Sequence, residues 1–453
     1  MMLSRLRAAL GAQPATKNKI TNPEEIDRTY KHWRVRMLYS LFIGYAVFYF
    51  VRKNISLAIP GMISEFGYSK AEIGILSSTL YLTYGLGKFG MGILGDRANP
   101  RYFMAIGLAL SALVNIWFGL SSSLYFLALL WGLNGVFQAM GWPPCARGLT
   151  QWYSASERGT FWGIWNASHN VGGAIIVAMA GWLTQEYGWR SAFYVPAAMA
   201  LVVAVFLVDR LRDTPPSLGL PPVEEYRDDP TGDPEPESGT LPMREILFKH
   251  VLTNKYIWAL GFANFFVYIV RYGAMDWAPT FLHEVKGSNL ASAGFKVAGF
   301  EMIGMVGAFA AGYISDRWFK GRRGPLNVLY MLLLAVAVGL FWLTPPGSDW
   351  LDLLTLSAIG FLVYGPQMLV GVSAVDVSNK HSAATATGFT GLLGYLGAVV
   401  SGVGAGWVVD KWGWDGGFRF FIACGVLGAL CFALTWKQTA RHLQNNNRKN
   451  HAK

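Results

Sequence analysis

A small group of charged side chains lies inside long apolar runs of the sequence. Its basic members are Arg52, Lys53, Lys88 and Arg271, and its acidic members are Asp276 and Glu301. Placing one such side chain within a membrane span costs at least about 2.5 to 3.5 kcal/mol, so each needs a water-filled cavity, a partner or both. The basic members outnumber the acidic ones by two, which predicts a central polar cavity that attracts a dianion.

Arg52 and Arg271 are the first candidates for contacts with that anion. They occupy equivalent positions of an internal repeat, so we expect them to face each other across the cavity. Two guanidinium groups can give a tetrahedral phosphate several charge-assisted hydrogen bonds, a geometry that a single lysine lacks. The alternative is that Asp276 or Glu301 permanently neutralises each arginine, which then only holds helices together. The excess of positive charge favours phosphate binding.

The two lysines have different expected roles. Lys53 follows Arg52 and would point about 100° away from it on a helix, so we expect it to miss the ligand. It would instead pair with Asp276 or Glu301 and tie the halves of the chain together in one state. Lys88 either contacts the phosphate or extends to the membrane surface near Asp96.

His169 is the histidine that lies within an apolar run, and Asn166 precedes it by three residues on the same helical face. A lone histidine is usually structural. Because histidine titrates near neutral pH and its neighbours are polar, a hydrogen-bonding or charge-switching role in phosphate binding is favoured here. Hydroxyl and indole donors at mid-span complete the predicted site: Tyr45, Tyr49, Tyr84, Trp142, Tyr268, Tyr364 and Tyr395.

Composition places these residues in a polytopic membrane protein. Of the 453 residues, 53% are hydrophobic and 14% are charged, whereas about 25% are charged in soluble chains. Apolar runs far exceed the roughly 20 residues that cross a hydrocarbon core. A soluble enzyme, a disordered scaffold and a secreted disulfide module are therefore excluded. Cys145, Cys424 and Cys431 lie in apolar runs without metal or disulfide spacing, so we expect them to be packing residues and expect neither metal nor cofactor.

The hydrophobic pattern predicts an all-α protein with twelve spans. They are 37–62, 72–94, 102–121, 124–149, 161–183, 191–208, 256–280, 291–314, 325–344, 351–374, 383–408 and 418–436. Most of the 38 Lys and Arg lie in the termini and the even-numbered loops, which predicts that both termini are cytoplasmic. Residues 1–36 contain no leader-like apolar segment, and a bacterial inner membrane is the expected location. The net charge of +11 therefore indicates membrane topology and not a nucleic-acid partner.

The chain divides into five predicted segments. These are a cytoplasmic N-terminal segment (1–36), a six-helix bundle (37–208), a cytoplasmic linker (209–254), a second six-helix bundle (255–436) and a cytoplasmic tail (437–453). The linker holds eight of the 20 prolines, and its acidic run 227–239 is expected not to pack.

The two bundles are related by a repeat with an offset near 220 residues. Phe48 to Arg52 matches Val267 to Arg271, and Gly92 to Arg97 matches Gly312 to Arg317. A parallel repeat is a standard transporter architecture, with the ligand site near mid-membrane between the halves. The repeated Asp-Arg loops, Asp96-Arg97 and Asp316-Arg317, resemble the signature of the major facilitator superfamily, and each pair could hold one conformation closed.

A narrower resemblance covers almost the whole chain. The sequence resembles the organophosphate:phosphate antiporter family in segments that span both halves: Gly44 to Asn54, Tyr84 to Lys88, Gly141 to Cys145, Trp165 to Gly173, Arg212 to Tyr226, Tyr268 to Arg271, Tyr364 to Pro366 and Gly388 to Tyr395. The resemblance implies a major facilitator fold and identifies Arg52 and Arg271 as the phosphate-binding pair, with Lys88, His169 and the tyrosines around them. It also implies exchange of an organophosphate for inorganic phosphate, by a carrier expected to be a monomer in the lipid bilayer.

The sequence leaves two candidates for the organophosphate. Hexose-phosphate carriers of the family are expected to have charged residues in span eleven, whereas Thr387 to Gly394 has none, which favours glycerol 3-phosphate. Segments near Arg101 and Gln151 are closer to the hexose-phosphate sensors, so uptake of a hexose 6-phosphate or a receptor role are the alternatives. A membrane phosphatase is disfavoured because no nucleophile, metal cluster or base accompanies the arginines.

Overall fold

The structure, a computed structural model, describes residues 11, 13–229, 245–378 and 382–438. The side chains of Phe89, Asp96, Arg97, Ala155, Ile246, Ala383 and Ala384 fall outside that description. The described residues are helical apart from loops and one isolated bridge between Gly11 and Ala98. This agrees with the predicted all-α class.

The helices of the first half of the sequence are α1 (Pro23–Phe50), α2 (Ile55–Phe66), α3 (Lys70–Arg97), α4 (Pro100–Gly119), α5 (Leu124–Gln138), α6 (Trp142–Trp152), α7 (Ala155–Asn166), α8 (Ser168–Tyr187), α9 (Ser191–Arg210) and α10 (Val223–Arg227). Those of the second half are α11 (Lys255–Glu284), α12 (Leu290–Arg317), α13 (Arg323–Leu343), α14 (Asp349–Asp376), α15 (Ala383–Val399) and α16 (Ala405–Ala433). A 3-10 turn occupies Pro215–Leu218, and π-helical turns occupy Ile246–Val251 and Val400–Gly404.

Nine segments of the described chain are long and apolar enough to cross a membrane. One of them, Thr385–Ala433, has 49 residues and covers most of two predicted spans, 383–408 and 418–436, with a kink between them at Gly413 where φ is 66°. The predicted spans 72–94 and 161–183 are also helical, in α3 and in α7 and α8. Their many Gly, Ser, Thr and Asn residues make them less apolar than the other spans, which is expected of helices that border a polar cavity.

The chain forms two compact units. The first contains the described residues up to 54 together with 86–176 and 190–229. Within it, α1 packs against α9, α6 and α7, and α4 packs against α9, α5 and α6. Its core includes Phe118, which lies 4.5 Å from Phe193 and 4.8 Å from Trp131 between ring centroids.

The linker's first part belongs to this unit and is not a free tether. Asp213 is fully buried, accepts a 2.9 Å hydrogen bond from Arg147 and accepts another from the backbone of Gln13 at 2.7 Å. Arg227 pairs with Glu157 at 3.0 Å. Of the acidic run 227–239 that is expected not to pack, only 227–229 are described, and there Arg227 has a partner; the expectation for the rest of the run stays a prediction. Residues 230–244 lie outside the described part of the chain.

The second unit contains 55–85, 177–189 and the described residues from 245 onward. Within it, α12 packs against α14, α11 against α15 and α16, and α13 against α14 and α16. Segments from the first half of the sequence take part, since α2 packs against α11 and α12. The predicted boundaries of the two bundles stay a prediction, because these contact units combine parts of both halves.

Close backbone approaches join the two sequence halves inside the second unit. A Cβ at Gly74 on α3 would overlap the carbonyl of Gly402, and a Cβ at Gly181 on α8 would overlap the carbonyl of Leu290. Only glycine permits backbones to pass at such distances. These residues therefore hold the segments 55–85 and 177–189 tightly against the second half.

Candidate functional site

Arg52 lies at a break in the first transmembrane segment. The helix α1 ends at Phe50 and α2 begins at Ile55, so Arg52 and Lys53 lie in a short non-helical turn. Both side chains are buried, each with 6% of its surface exposed. Irregular backbone at membrane depth is tolerated only where its polar groups find partners or line a cavity, and broken helices are common at the ligand sites of transporters.

Side-chain amides from other helices of the first unit satisfy the broken backbone. Asn115 and Asn134 both donate to the carbonyl of Val51, at 3.0 and 2.8 Å. Asn54 donates to Asn115 at 2.9 Å and to a carbonyl of α9 at 2.8 Å. Gln138 donates to the carbonyl of Phe48 at 3.0 Å. Hydrogen bonds with α4, α5 and α9 therefore stabilise the helix break.

Tyr49 is the common neighbour of the two cations. Its ring centroid lies 5.4 Å from the guanidinium carbon of Arg52 and 4.9 Å from the ammonium nitrogen of Lys53. Tyr49 precedes Arg52 by three residues and Lys53 by four, so both cations can contact its ring, and the expected angle of about 100° between them stays a prediction. Pairing of Lys53 with Asp276 or Glu301 stays a prediction.

The predicted residues of α1 and α8 meet around Tyr49. The ring of His169 lies 5.8 Å from that of Tyr49, and the ring of Tyr45 lies 5.7 Å from it. Tyr45 also contacts Trp165, with 4.8 Å between centroids. The first unit therefore gathers one guanidinium, one ammonium, one imidazole and two phenol rings in one cluster.

Arg271 lies in the middle of the unbroken helix α11 and is 3% exposed. Its Nη2 donates to the hydroxyl of Tyr364 at 3.0 Å, and that hydroxyl donates to Glu301 at 2.7 Å. Its guanidinium carbon lies 4.6 Å from the Tyr364 ring and 4.9 Å from that of Tyr272. Its Nε is buried and has no hydrogen-bond acceptor among the described residues. Arg271 is thus fixed in place while one of its donors stays open.

A row of tyrosines adjoins Arg271 in the second unit. Tyr395 lies 5.1 Å from Tyr84 and 5.4 Å from Tyr268 between ring centroids, and Tyr272 lies 4.4 Å from Tyr81. The predicted residues Tyr84, Tyr268 and Tyr395 are therefore neighbours. Phenol groups on one surface can donate hydrogen bonds to the oxygens of a polar ligand.

Asp276 has a partner that sequence reasoning missed. The hydroxyl of Tyr81 lies 3.0 and 2.9 Å from the two carboxylate oxygens of Asp276. Tyr81 belongs to α3 in the first half of the sequence and Asp276 to α11 in the second. This hydrogen bond therefore ties the two sequence halves together, which fits the gating role predicted for Asp276.

More contacts of this kind cluster at the start of α3. Lys70 forms a 3.1 Å ion pair with Glu284, and Asp410 accepts hydrogen bonds from the backbone of Lys70 and Ala71 at 3.0 and 2.7 Å. Ser78 donates to a carbonyl of α15 at 2.7 Å. An acidic side chain at a helix N-terminus is favoured by the unpaired backbone N–H groups there.

Several predicted residues are more exposed than the members of these clusters. Trp142 is 41% exposed, and within the described part of the chain its ring contacts lead to the Tyr45 cluster through Trp162 and Trp165. The side chains of Lys88, Asn166, Asp316 and Arg317 are exposed, and those of Asp96 and Arg97 lie outside the described part.

The amides that hold the helix break were absent from the predicted site. Asn115, Asn134 and Gln138 lie in the predicted spans 102–121 and 124–149, where uncharged polar residues are rare. Their presence in apolar segments was the available signal. Asn166 is the one predicted amide, and it was included because of its spacing from His169; Asn115, Asn134 and Gln138 have no such charged or titratable neighbour in the sequence.

Comparison with known proteins agrees with this architecture. The profile of the Major Facilitator Superfamily matches residues 41–402. The chain belongs to the major facilitator superfamily. A bacterial homolog to the human lysosomal transporter Spinster, solved in an inward-facing and occupied conformation, has the same fold with a TM-score of 0.72, 18% identity and coverage of 90% of this chain and 97% of that one.

Its relatives confirm the resemblance to the organophosphate:phosphate antiporter family. A probable hexose phosphate transport protein of Chlamydia pneumoniae is 46% identical, over 95% of this chain and 97% of the relative. The glycerol-3-phosphate transporter of Bacillus subtilis (strain 168) is 43% identical, over 95% and 98%. The membrane sensor protein UhpC of Escherichia coli (strain K12) is 43% identical, over 94% and 98%. The chain is thus a multi-pass membrane protein of this family.

Proposed function

We propose that the protein is a secondary transporter that exchanges an organophosphate for inorganic phosphate by alternating access. The observation that carries the proposal is the buried pair of equivalent arginines, Arg52 and Arg271, each among aromatic rings within its own unit. Names of relatives that transport hexose phosphate or glycerol 3-phosphate support an organophosphate as the substrate.

The phosphate group is the part of the substrate that the arginines bind. A phosphate dianion accepts charge-assisted hydrogen bonds from guanidinium groups and offsets their repulsion. The open Nε of Arg271 is one such donor. Tyr364 and Glu301 orient Arg271 without using up its donors, since a guanidinium has five N–H groups. The charge balance therefore favours a bound dianion over permanent neutralisation.

Binding and movement are coupled through the charge of the arginines. When the site is empty, two guanidinium groups that share it repel each other. A phosphate that bridges them stabilises the closed intermediate, through which the halves rock from one side to the other. Return requires a second phosphate compound, so the cycle exchanges one for another. The substrate gradients supply the driving force.

The contacts between sequence halves in the second unit form the gate of one side. Both hairpins that contribute to it, around residues 67–69 and 188–190, lie on the side opposite to the termini in a twelve-span topology. With cytoplasmic termini in a bacterial inner membrane, this gate faces outward. The gate must open for uptake. The Lys70–Glu284 ion pair and the Tyr81–Asp276 hydrogen bond therefore break in that step.

Glycerol 3-phosphate is the favoured substrate and hexose 6-phosphate is the second candidate. The uncharged stretch Thr387 to Gly394 supports the smaller glycerol 3-phosphate, while the Chlamydia relative supports the hexose compound. A receptor that binds without transport is the other class, supported by the E. coli sensor.

The test is efflux of radiolabelled phosphate from proteoliposomes. Vesicles containing the purified protein are loaded with phosphate and challenged with glycerol 3-phosphate, glucose 6-phosphate, phosphoglycerate or buffer. Efflux that requires an external phosphate compound supports exchange. The compound that gives the highest rate of efflux identifies the substrate. Saturable binding without efflux would make the protein a receptor. Efflux that is equal in buffer alone would contradict obligatory exchange.

A further inference from the structure

Four arginines gather at one end of helix α9, away from the residues of the candidate site. Arg36 comes from α1, Arg101 from the start of α4, Arg210 from the end of α9, and Arg212 follows it. They belong to the first unit. We call these four residues the arginine cluster.

The cluster has few negative groups to offset its charge. Asp209, which is 63% exposed, forms ion pairs with Arg36 at 3.0 Å and with Arg210 at 3.1 Å. It is the only carboxylate paired with the cluster among the described residues. The end of a helix adds about half a negative charge. Four positive charges against about one and a half negative ones leave an excess above two.

A tryptophan holds two of the arginines in place. The guanidinium carbons of Arg36 and Arg212 lie 4.7 and 4.8 Å from the ring centroid of Trp33. Burial lowers the pKa of Arg212, and the charges of Arg101 and Arg36 lower it further. Like charges are thus kept close together in advance of any ligand, which reduces the cost of binding an anion.

The cluster retains hydrogen-bond donors. Arg212 donates to the backbone carbonyls of Asp209 and Leu211 at 2.8 and 2.7 Å, and Arg101 donates to the carbonyl of Val208. These bonds cap α9. None of the four uses more than two bonds on described acceptors, although each guanidinium has five N–H donors. Helix capping therefore explains only part of the arrangement.

The position of the cluster points to a lipid as its ligand. Helix α9 has 20 residues and so spans about 30 Å, the thickness of the hydrocarbon core. Its end then lies at the level of the headgroups. Val202 and Val205, which precede the cluster on α9, are 70% and 73% exposed and offer a surface for acyl chains. Trp33 and Tyr39 are residues typical of that interface.

We propose that the arginine cluster is a binding site for an anionic phospholipid, whose headgroup phosphate contacts Arg36 and Arg212 and whose acyl chains follow α9. The cluster binds phosphatidylglycerol in preference to phosphatidylcholine with the same chains. This site is independent of the proposed exchange at Arg52 and Arg271.

Native mass spectrometry of the purified full-length protein tests the proposal. The protein is titrated with dioleoyl phosphatidylglycerol or dioleoyl phosphatidylcholine, with and without excess inorganic phosphate. The variant is Arg36→Gln/Arg212→Gln. The matched control, Lys320→Gln/Arg322→Gln, removes the same charge from an exposed loop of the second unit. We expect about tenfold tighter binding of phosphatidylglycerol by the wild type, and a loss of most of that preference in the variant but not in the control.

Two results would overturn the inference. One is an unchanged preference for phosphatidylglycerol in the double glutamine variant. The other is full displacement of the lipid by inorganic phosphate, which would make the cluster a site for soluble anions. If the double variant does not fold, the single Arg212→Gln variant decides, because Arg36 and Arg101 still donate to the carbonyls of Asp209 and Val208 at the end of α9.

Discussion

Two equivalent arginines occupy different surroundings in the two halves of the chain. Arg52 lies in a break between two helices, whereas Arg271 lies inside one continuous helix of 30 residues. Arg52 shares the ring of Tyr49 with Lys53, while Arg271 is held by the hydroxyl of Tyr364, which is bonded to Glu301. The two arginines, which the predicted repeat makes equivalent, are therefore supported in different ways.

This difference indicates that the two arginines are held in position by different kinds of contact. Arg271 is fixed by a side-chain network, so its position depends on Tyr364 and Glu301. Arg52 is placed by its backbone, so its position depends on the amides that satisfy the carbonyl of Val51. Perturbations of the two supports should therefore have different consequences for binding and for stability.

The largest effect is expected from removal of either guanidinium. Arg52→Ala or Arg271→Ala should reduce phosphate exchange by at least about 100-fold, because truncating a buried hydrogen-bonded charge costs about 2 to 5 kcal/mol. Arg→Lys at either position should recover only part of the rate, since the fork geometry is lost. Exchange in proteoliposomes measures this, with Arg322→Ala as the control on an exposed loop. Wild-type rates in either alanine variant would remove that arginine from the site.

The network around Arg271 should show the next largest effect. Tyr364→Phe removes a hydroxyl that bonds two charged groups, so phosphate affinity should fall by about 10- to 100-fold, equivalent to about 1.5 to 3 kcal/mol. Tyr49→Phe is the matched change beside Arg52. It keeps the ring that both cations contact and should have a smaller effect. Equal losses in the two phenylalanine variants would contradict the proposed difference in support.

The backbone support of Arg52 should appear mainly as stability. Asn134→Leu leaves the carbonyl of Val51 with one donor fewer, so we expect a loss of about 1 to 3 kcal/mol in unfolding free energy. It should also weaken phosphate binding, since the break shifts. Asn264→Leu is the matched control, because Asn264 donates to the carbonyl of Thr390 at 2.9 Å within the second unit and supports no break. That control should destabilise the protein without altering phosphate affinity. Thermal unfolding and phosphate titration of both variants provide the measurement.

The smallest effect is expected at Trp142. Its side chain is 41% exposed, and its ring contacts with described residues lead to the Tyr45 cluster through Trp162 and Trp165. Trp142→Phe should change the KM for phosphate by no more than about twofold, as is usual for substitutions away from a site. A tenfold rise in KM would instead place Trp142 at the substrate and extend the first unit's part of the site.

The sequence predicted the features that depend on composition and repetition. Charged residues within apolar runs pointed to Arg52, Arg271, Asp276 and Glu301, because their cost in a membrane requires a reason; the structure buries all four side chains, and their roles at a ligand stay predictions. The offset near 220 residues identified the equivalence of the arginines. The family resemblance and the all-α class followed from the same residues.

Features that depend on where a helix ends were not predicted. Residues 51–54 lie inside the predicted span 37–62 and contain no Gly or Pro, so nothing in their sequence marks the break. The Tyr81–Asp276 bond was likewise missed, since it joins residues 195 positions apart. The packing of the linker at Asp213 was also missed, because it depends on Arg147, which lies 66 positions away in α6.

Equilibrium binding of radiolabelled inorganic phosphate to the solubilised protein tests the central claim most directly. It is measured for the wild type, Arg52→Ala, Arg271→Ala and the double variant. A single phosphate held by both guanidinium groups predicts one site per chain, a severe loss in each single variant and little further loss in the double variant. Two sites per chain, or single variants whose losses simply add to give that of the double variant, would contradict a shared ligand.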